Sequence, residues 1–445
     1  MMSSQKGFAM LNRLVVLCVA FAPCAAFATD IDGVQPAALD QPRINMLLRR
    51  EPKGAALAVS AKELKDMPLS NIEAFLDTGA SGVLLSPKTA DALGLKRATA
   101  KGADGKESNI VFHDVGVGGS DQFNVSEPIY GSIMKYHSMA GEADDESEYK
   151  LLVGPWRAQI GPLGGNFGLL DLVMSNLDVV GMPVLKGHVM VMDPKSVNKF
   201  DDTMRTYVYK PRTPFDPGNA HRDPGIPKTN RHVKLSYGSF ERFTTVEPPK
   251  STGPALFGNP FLGPEPTNSD PNGAKTPPIV SRHNGKQYAC GWLLDTGAAA
   301  SIISTRHAQA VGITYKADTK GTDNPVLDGV PKDKQFSLTV GGIGGQKKSA
   351  GFWLDSITVP TTEGDPLVFR GAPVLVTDIT VNDPATKQQV TLDGVIGMNF
   401  FVASAAVSEG LLPDIKNLTE GAFDWVVFDE PAGMLGLHLR KELAK

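Results

Sequence analysis

The tetrapeptide Asp-Thr-Gly-Ala occurs twice in this chain, as Asp77-Thr78-Gly79-Ala80 and as Asp295-Thr296-Gly297-Ala298. Each copy directly follows a largely apolar run, residues 72–76 in the first copy and 292–294 in the second. An apolar run that stops at a glycine-containing turn is typical of a buried strand. The sequence therefore predicts two carboxyl groups on matching turns, an arrangement that suits an acid–base pair.

The repeat extends well beyond the tetrapeptide. Residues 77–95 align with residues 295–313 without a gap, at a constant offset of 218. Later matches keep the same order: residues 101–105 with 320–324, 116–119 with 342–345, and 179–182 with 395–398. We therefore interpret the chain as two related lobes.

The length and composition agree with two lobes. The chain has 445 residues, 41% of them hydrophobic and 21% charged. This length exceeds what one hydrophobic core usually organises. Prolines and glycines recur between the lobes, and proline is unsuited to central strands because it lacks an N–H donor. We predict an N-terminal lobe over residues 29–209, a Pro/Gly-rich connection over 210–280, and a C-terminal lobe over 281–445.

Residues 1–28 have the pattern of a signal peptide. Lys6 and Arg13 precede the apolar stretch 14–22, and Ala26-Phe27-Ala28 offers the small residues that a signal peptidase accepts. No later stretch approaches the roughly 20 apolar residues that a membrane span needs. We expect an exported bacterial protein, periplasmic or secreted, that starts near Thr29 and has no integral membrane anchor.

Several partner classes are disfavoured. Loss of Lys6 and Arg13 takes the formal charge from −4 to −6, and no dense stripe of Lys and Arg is present, so we expect no nucleic acid partner. The eight histidines are scattered without metal-ligand spacing, so we expect no metal and no cofactor.

The local pattern is mostly β, with one short helix after each Asp-Thr-Gly turn. Ser86 is the expected N-cap, Pro87 suits the first helical position, and Gly94 can close the helix in a left-handed conformation. Ser304 and Gly312 predict the same helix in the second lobe. Strands are expected near residues 110–112, 184–192, 336–340, 373–376 and 425–428, with an edge strand near 233–237 in the connection.

Two adjacent carboxyl groups that share one proton can act as base and acid in the same reaction. Like charges a few ångströms apart cannot both ionise cheaply, so Asp77 and Asp295 should titrate as a pair in two steps. Gly79 and Gly297 permit a tight turn and close approach of the two halves. Thr78 and Thr296 can send their hydroxyls across the interface.

The motifs Phe75-Leu76-Asp77-Thr78-Gly79-Ala80-Ser81 and Leu293-Leu294-Asp295-Thr296-Gly297-Ala298-Ala299 resemble those of aspartic peptidases. Two copies in one chain are similar to pepsin-like enzymes, whereas Asp-Thr-Gly-Ala and the string at residues 394–401 resemble retropepsins and their bacterial relatives. The resemblance implies a mostly β fold of two related β-barrel-like lobes with a cleft between them. It further implies a monomeric, cofactor-independent endopeptidase that acts on a peptide or protein substrate. Asp77 and Asp295 would be catalytic, and Thr78 and Thr296 would lock the lobes together.

The resemblance also implies a hairpin flap over the substrate. Retropepsin-like spacing predicts it at Gly102, Asp104 and Gly105, and at Gly321 and Asp323 in the second lobe. Pepsin-like spacing would instead use residues 116–119. The string at residues 341–345 resembles a retropepsin flap tip but lies farther from its aspartate than in that family. We predict the earlier pair.

Three further expectations are open. The chain could be a catalytically silent peptide-binding or structural protein of the same fold. Residues 29–66 carry several basic side chains and could form an inhibitory propeptide, although we interpret them as a first strand with its loops. Pepsin-like enzymes generally have Ser or Thr where this chain has Ala80 and Ala298, so the carboxyl pair here lacks a hydroxyl donor that would favour its charged form.

Overall fold

A computed structural model describes residues 28–58, 71–134, 146–163, 178–198, 203–213, 225–238, 244–249, 252–266, 276–382, 389–407 and 413–443. Residues 1–27 of the predicted signal peptide lie outside this range. The strands of the first half are β1 (Thr29–Ile31), β2 (Ala37–Ala38), β3 (Arg43–Arg49), β4 (Ile72–Leu76), β5 (Val83–Leu85), β6 (Thr99–Lys101), β7 (Glu107–Asn109), β8 (Val111–Gly116), β9 (Gly119–Val125), β10 (Ile129–Ile133), β11 (Leu151–Trp156), β12 (Gln159–Ile160), β13 (Asp178–Val180), β14 (Val189–Asp193), β15 (Arg205–Tyr209), β16 (Arg231–Tyr237) and β17 (Thr245–Val246).

The strands of the second half are β18 (Pro260–Leu262), β19 (Ile279–His283), β20 (Lys286–Cys290), β21 (Trp292–Leu294), β22 (Ile302–Ile303), β23 (Thr314–Tyr315), β24 (Leu327–Asp328), β25 (Gln335–Gly342), β26 (Gly345–Val359), β27 (Leu367–Val376), β28 (Thr380–Asn382), β29 (Gln389–Thr391), β30 (Gly394–Ile396), β31 (Ser404–Val407), β32 (Pro413–Thr419), β33 (Phe423–Asp429) and β34 (Met434–Leu439). The α-helices are α1 (Pro87–Ala92), α2 (Met182–Leu185) and α3 (Thr305–Ala310). Short 3₁₀ turns occupy Glu146–Glu148, Pro194–Ser196, Lys332–Lys334 and Met398–Phe400.

Most of these strands belong to two large sheets. A ten-stranded sheet follows the order β11-β10-β3-β4-β13-β5-β12-β9-β8-β17. A fifteen-stranded sheet follows the order β15-β14-β33-β34-β16-β18-β21-β30-β22-β27-β26-β19-β20, with β1 beside β27 and β25 beside β26. The mostly β fold predicted from the sequence is confirmed. No helix in the described part of the chain is long and apolar enough to cross a membrane.

The two lobes repeat the same arrangement around their turns. In the first, β4 runs parallel to β13, and β13 pairs antiparallel with β5. In the second, β21 runs parallel to β30, and β30 pairs antiparallel with β22. The strand before each turn also has an equivalent outer neighbour, β3 for β4 and β18 for β21. The duplication seen in the sequence is therefore a duplication of structure.

The helix signals are confirmed in both lobes. The Ser86 side chain accepts a hydrogen bond from the Thr89 N–H at 3.0 Å, and Gly94 follows α1 with φ +63°. Ser304 accepts from the His307 N–H at 3.0 Å, and Gly312 has φ +91°. The N-cap oxygen satisfies a main-chain donor that the helix leaves free, and glycine adopts the left-handed region at little cost.

Two strand predictions were partly wrong. The stretch 184–192 begins as the end of α2 and becomes a strand only at Val189, because Pro183 suits a helical first turn and Gly187, at φ +75°, turns the chain. The strand near 233–237 exists, but it does not lie at an edge. Residues 231–234 of β16 pair with β34, and residues 235–237 pair with β18.

The N-terminal segment is built into the sheets. β1 pairs with β27 and β2 with β31, although the sequence assigned this segment to the first lobe. Arg43 bonds Asp40 at 2.7 Å, and Arg49 bonds Glu146 at 2.5 Å. These contacts agree with a first strand and its loops over the described residues up to 58; residues 59–66 lie outside them.

Candidate functional site

Each catalytic candidate sits where a buried strand ends. The Asp77 N–H donates to the carbonyl of Val180 at 3.0 Å, and the Asp295 N–H donates to the carbonyl of Ile396 at 3.1 Å. These carbonyls lie on β13 and β30, the equivalent neighbouring strands. Each turn is therefore held by the same contact to its own sheet, which fixes where its carboxyl group begins.

Four hydrogen bonds between Thr78 and Thr296 and the opposite strand ends join the two turns. The Thr78 hydroxyl donates to the Leu294 carbonyl at 2.5 Å and accepts from the Thr296 N–H at 3.1 Å. The Thr296 hydroxyl donates to the Leu76 carbonyl at 2.7 Å and accepts from the Thr78 N–H at 3.0 Å. Both side chains are fully buried. We call this set of four bonds the threonine lock.

The glycines allow the two carboxyl groups to approach the opposite turn. A Cβ atom at Gly79 would lie 2.5 Å from Cγ of Asp295, and one at Gly297 would overlap the carboxyl group of Asp77. No residue with a side chain could occupy either position without moving the aspartate opposite. The lock and the glycines together place Asp77 and Asp295 side by side.

The two carboxyl groups hydrogen-bond each other, and their environments differ. Both keep some accessible surface but have protein on most sides. Burial raises the pKa of Asp77, partly offset by the bond from Asp295 and by the N–H groups of Gly79, Gly297 and Ala80. Burial first, and then the charge of Asp77, raises the pKa of Asp295 well above its usual range.

This difference assigns one proton to the pair. The Gly79 N–H donates to Asp77 Oδ1 at 2.7 Å, and the Gly297 N–H reaches the same oxygen at 3.3 Å. N–H donors favour a charged carboxylate. The environment of Asp77 therefore favours the charged form more than that of Asp295 does. Asp295 Oδ1 is buried and has no hydrogen-bond partner among the described residues.

The residues predicted as flaps lie apart from one another in the described contacts. Gly102, Asp104 and Gly105 form the turn between β6 and β7, where the Lys106 N–H donates to Asp104 Oδ1 at 3.1 Å. Gly321 and Asp323 lie in the exposed turn between β23 and β24, and a Cβ at Gly321 would meet nothing within 4 Å. The main-chain bonds of these turns stay within each segment, and the Lys320 side chain, next to Gly321, bonds Asp378 at 2.9 Å rather than the other turn.

A different pair of hairpins meets tip to tip. The β8–β9 hairpin turns at Val117-Gly118 and the β25–β26 hairpin at Ile343-Gly344, and the Gly118 N–H donates to the Ile343 carbonyl at 2.9 Å. A Cβ at Gly116 would lie 2.7 Å from Cβ of Ile343. Side chains could not be added here without separating the tips. The sequence already indicated that these two tips are equivalent, since residues 116–119 of the first lobe match residues 342–345 of the second.

Sequence reasoning missed two buried or half-buried carboxamides beside the turns. The Asn259 side chain donates to the Thr78 carbonyl at 2.9 Å, and the Gln41 side chain donates to the Gly297 carbonyl. Each precedes a proline, at the same offset of 218 as the aspartates. That match could have revealed them, but it lies upstream of the aligned segment.

No group of three His, Cys, Asp or Glu side chains among the described residues is arranged to hold a metal ion. The chemistry that the described site offers is proton transfer by two carboxyl groups of unequal pKa. A pair of this kind can activate one oxygen while protonating another.

No family model matches this chain, and no curated protein matches it. It is similar to solved structures of edgp (12% identity, 91% of this chain and 95% of that chain, TM-score 0.35), of basic 7S globulin from soybean (11%, 90% and 95%, 0.32) and of conglutin gamma, a basic 7S globulin from lupine seeds (12%, 91% and 97%, 0.36). TM-scores this low support no conclusion about activity. The duplicated, mostly β fold is evident from the chain's own sheets and paired turns.

The threonine lock should contribute strongly to stability. Thr296→Val removes one hydroxyl and leaves the Leu76 carbonyl and the Thr78 N–H buried without partners, which we expect to lower the free energy of unfolding by about 3 kcal/mol. Thr296→Ser keeps the hydroxyl and should lower it by only about 1 kcal/mol. Denaturant unfolding of both variants measures the difference. Equal losses would show that the hydroxyl is not what joins the lobes.

Proposed function

We propose that this protein is an exported aspartic endopeptidase that hydrolyses peptide bonds with water activated between Asp77 and Asp295. The observation that carries the proposal is the pair of adjacent carboxyl groups on matching turns, held by the threonine lock and with raised pKa values. A pair of this kind supplies both the base and the acid that amide hydrolysis needs.

The proposed reaction returns the pair to its starting state. The Asp77 carboxylate takes a proton from water as the water oxygen attacks the peptide carbonyl carbon, and Asp295 gives its proton to the carbonyl oxygen. The resulting diol collapses when Asp77 returns its proton to the departing nitrogen and Asp295 takes one from a diol hydroxyl. The C–N bond breaks, one water has been consumed, and Asp295 again holds the proton.

We assign the flap role to the hairpins that meet at their tips. Both are glycine-rich and carry an aliphatic residue, Val117 or Ile343, at the turn. A roof over the turns would exclude water and strengthen the electrostatic effects below it. The tips must part before an extended peptide can enter. This assignment replaces the expected flaps at residues 102–105 and 321–323.

The substrate we propose is an extended segment of a peptide or protein. Export rests on the pattern of residues 1–28, which supports a periplasmic or secreted location. We propose that the protein acts as a monomer, since one chain supplies both aspartates, and that nucleic acid is not a partner.

A second candidate is a catalytically silent protein of the same fold that binds peptides or has a structural role. The contact between the hairpin tips favours it, because the tips are joined by a main-chain hydrogen bond as well as by packing of glycines. Such a protein would hold a peptide beneath the tips without cleaving it. Cleavage assays separate the two candidates.

Replacing either aspartate should abolish cleavage. Asp77→Asn and Asp295→Asn each remove one of the two proton-transfer groups, so we expect kcat/KM on a peptide library to fall at least about a thousandfold. A statine-type mimic of the diol should inhibit the wild type. Circular dichroism would confirm that both variants fold. If the folded wild type, trimmed to Thr29, cleaves nothing between pH 3 and 8, the silent candidate is favoured.

The pH optimum should be weakly acidic to near neutral. Burial raises both pKa values of the pair. Loss of the first proton creates the active singly charged form, and loss of the second destroys it. Both losses therefore occur at higher pH than in ordinary carboxyl groups. Ala80→Ser adds a hydroxyl that can donate to Asp77 and should move the acid limb of the kcat/KM profile to lower pH. A wild-type profile that peaks below about pH 3 would contradict this assignment.

A disulfide between the tips should block activity reversibly. A Cβ at Gly342 would lie 3.9 Å from Cβ of Val117, which suits an S–S bond. In a Cys290→Ala background, Val117→Cys with Gly342→Cys should lose most of its cleavage rate when oxidised and regain it with dithiothreitol. Val117→Cys alone and Gly342→Cys alone, in the same background, are the matched controls, because neither can form the bond between the tips. Equal loss on oxidation in a single-cysteine variant would contradict the flap assignment.

A further inference from the structure

Two side-chain amides occupy equivalent places in the two lobes. Gln41-Pro42 precedes β3, and Asn259-Pro260 leads into β18. Arg43 of β3 pairs with Phe75, and Phe261 of β18 pairs with Leu293, so the offset of 218 holds in the strand register as well. The side-chain amide is thus repeated in both lobes: Gln41 lies two residues before Arg43, and Asn259 lies two residues before Phe261.

Each amide reaches the turn of the opposite lobe. Asn259, which precedes the second lobe's strand, donates to the Thr78 carbonyl of the first lobe at 2.9 Å and is 3% exposed. Gln41, which precedes the first lobe's strand, donates to the Gly297 carbonyl of the second lobe. The two contacts therefore cross the interface in opposite directions, beside the threonine lock.

Both bonds end on peptide groups whose N–H ends lower the pKa of a catalytic carboxyl. The peptide group that carries the Thr78 carbonyl also carries the Gly79 N–H, which donates to Asp77 Oδ1 at 2.7 Å. The peptide group that carries the Gly297 carbonyl also carries the Ala298 N–H, which donates to the Asp295 main-chain carbonyl at 3.3 Å and lowers the pKa of the Asp295 carboxyl. A hydrogen bond at the carbonyl end fixes the rotation of the group and strengthens donation from its N–H end.

We propose that Asn259 and Gln41 are positioning residues that fix these two peptide groups, with Asn259 acting on Asp77 and Gln41 acting on Asp295. Their meaning for catalysis rests on the proposed function. Neither amide touches the reacting atoms; each acts through one peptide group. Because the two peptide groups serve different carboxyls, the two residues have separable effects.

Charged groups on the surrounding elements have other partners. Asp40 and Arg43 beside Gln41 bond each other at 2.7 Å. On the strands and hairpins around the turns, the other ionisable side chains are Arg49, Glu73, His113, Asp114, Asp121, Asp178, Lys347, Lys348, Asp355, Arg370 and Asp393. Asp114 accepts from Gln159, Asp178 from Ser86 and Thr89, and Asp393 from Arg306. Among the largest influences on the pKa values of the pair, the charged group is the partner aspartate.

The signs of the two effects follow from the N–H donors. The Gly79 N–H lowers the pKa of Asp77, so loss of the Asn259 bond should raise that pKa and move the acid limb to higher pH. The Ala298 N–H lowers the pKa of Asp295, so loss of the Gln41 bond should raise that pKa and move the basic limb to higher pH. A merely structural loss would lower the rate without moving either limb.

The test compares Asn259→Leu and Gln41→Met, which keep approximate side-chain size but remove the donor. We expect kcat/KM of Asn259→Leu to fall about tenfold on the acid side of the optimum and much less above it. Gln41→Met should retain more activity than the wild type on the alkaline side. Asn259→Gln keeps a donor, so its kcat/KM on the acid side of the optimum should return towards that of the wild type. Ser236→Ala is the matched control, because it removes a similar bond, from the Ser236 hydroxyl to the Gly263 carbonyl at 2.7 Å.

Carboxyl ¹³C NMR titration of Asp-labelled protein measures the same shifts without turnover. If the wild type cleaves nothing, the proposed function fails, while the titration still tests these two residues. Unchanged aspartate titration in folded Asn259→Leu and Gln41→Met, or an equal shift in Ser236→Ala, would overturn the proposal. If Asn259→Leu does not fold, Gln41→Met decides, since the Gln41 side chain is only partly buried.

Discussion

The site depends on holding two carboxyl groups together against their own repulsion. Two adjacent carboxylates cannot both ionise cheaply in a desolvated site, so the pair is stable only when it keeps one proton. The threonine lock supplies the restraint, because its four hydrogen bonds fix the strand ends from which both aspartates project. Without the lock, the carboxyls would move apart and each would titrate as an ordinary acid. The glycines matter for the same reason, since a Cβ would force the separation that the lock prevents.

Duplication produces a nearly symmetric site, and one proton shared between the two carboxyls is what makes one of them an acid and the other a base. The main chain around the aspartates adds a difference between them. N–H groups of Gly79, Gly297 and Ala80 favour the charged form of Asp77, and those of Gly297 and Ala298 favour the charged form of Asp295. The amides differ as well: the shorter Asn259 reaches the carbonyl of residue 78, and the longer Gln41 reaches that of Gly297, one place further along its turn. The two copies of the turn are therefore related but not identical in their hydrogen bonds.

The features that the sequence predicts correctly are those determined by residues close together in the chain. The paired turns, the N-caps at Ser86 and Ser304 and the glycines that close both helices each depend on a few neighbouring residues. Features set by distant contacts were missed. β16 was expected at an edge, yet β34, from the far end of the chain, covers it. The contact between the hairpins at Gly118 and Ile343 also joins residues 225 positions apart in sequence (118 to 343), which no local pattern reveals.

The two hairpins of the roof are not equally free to open. The outer edge of β8 pairs with β17 of the connection, through His113 with Thr245 and Phe112 with Val246. His113 Nε2 also lies 3.3 Å from Glu247 Oε1. β25, by contrast, pairs only with β26 among the described residues. Movement of the first hairpin away from the tip contact would therefore break ladder bonds or carry the connection along, whereas movement of the second would break no ladder with a third strand at β25. On the proposed function, the second hairpin is the one that we expect to open for a peptide.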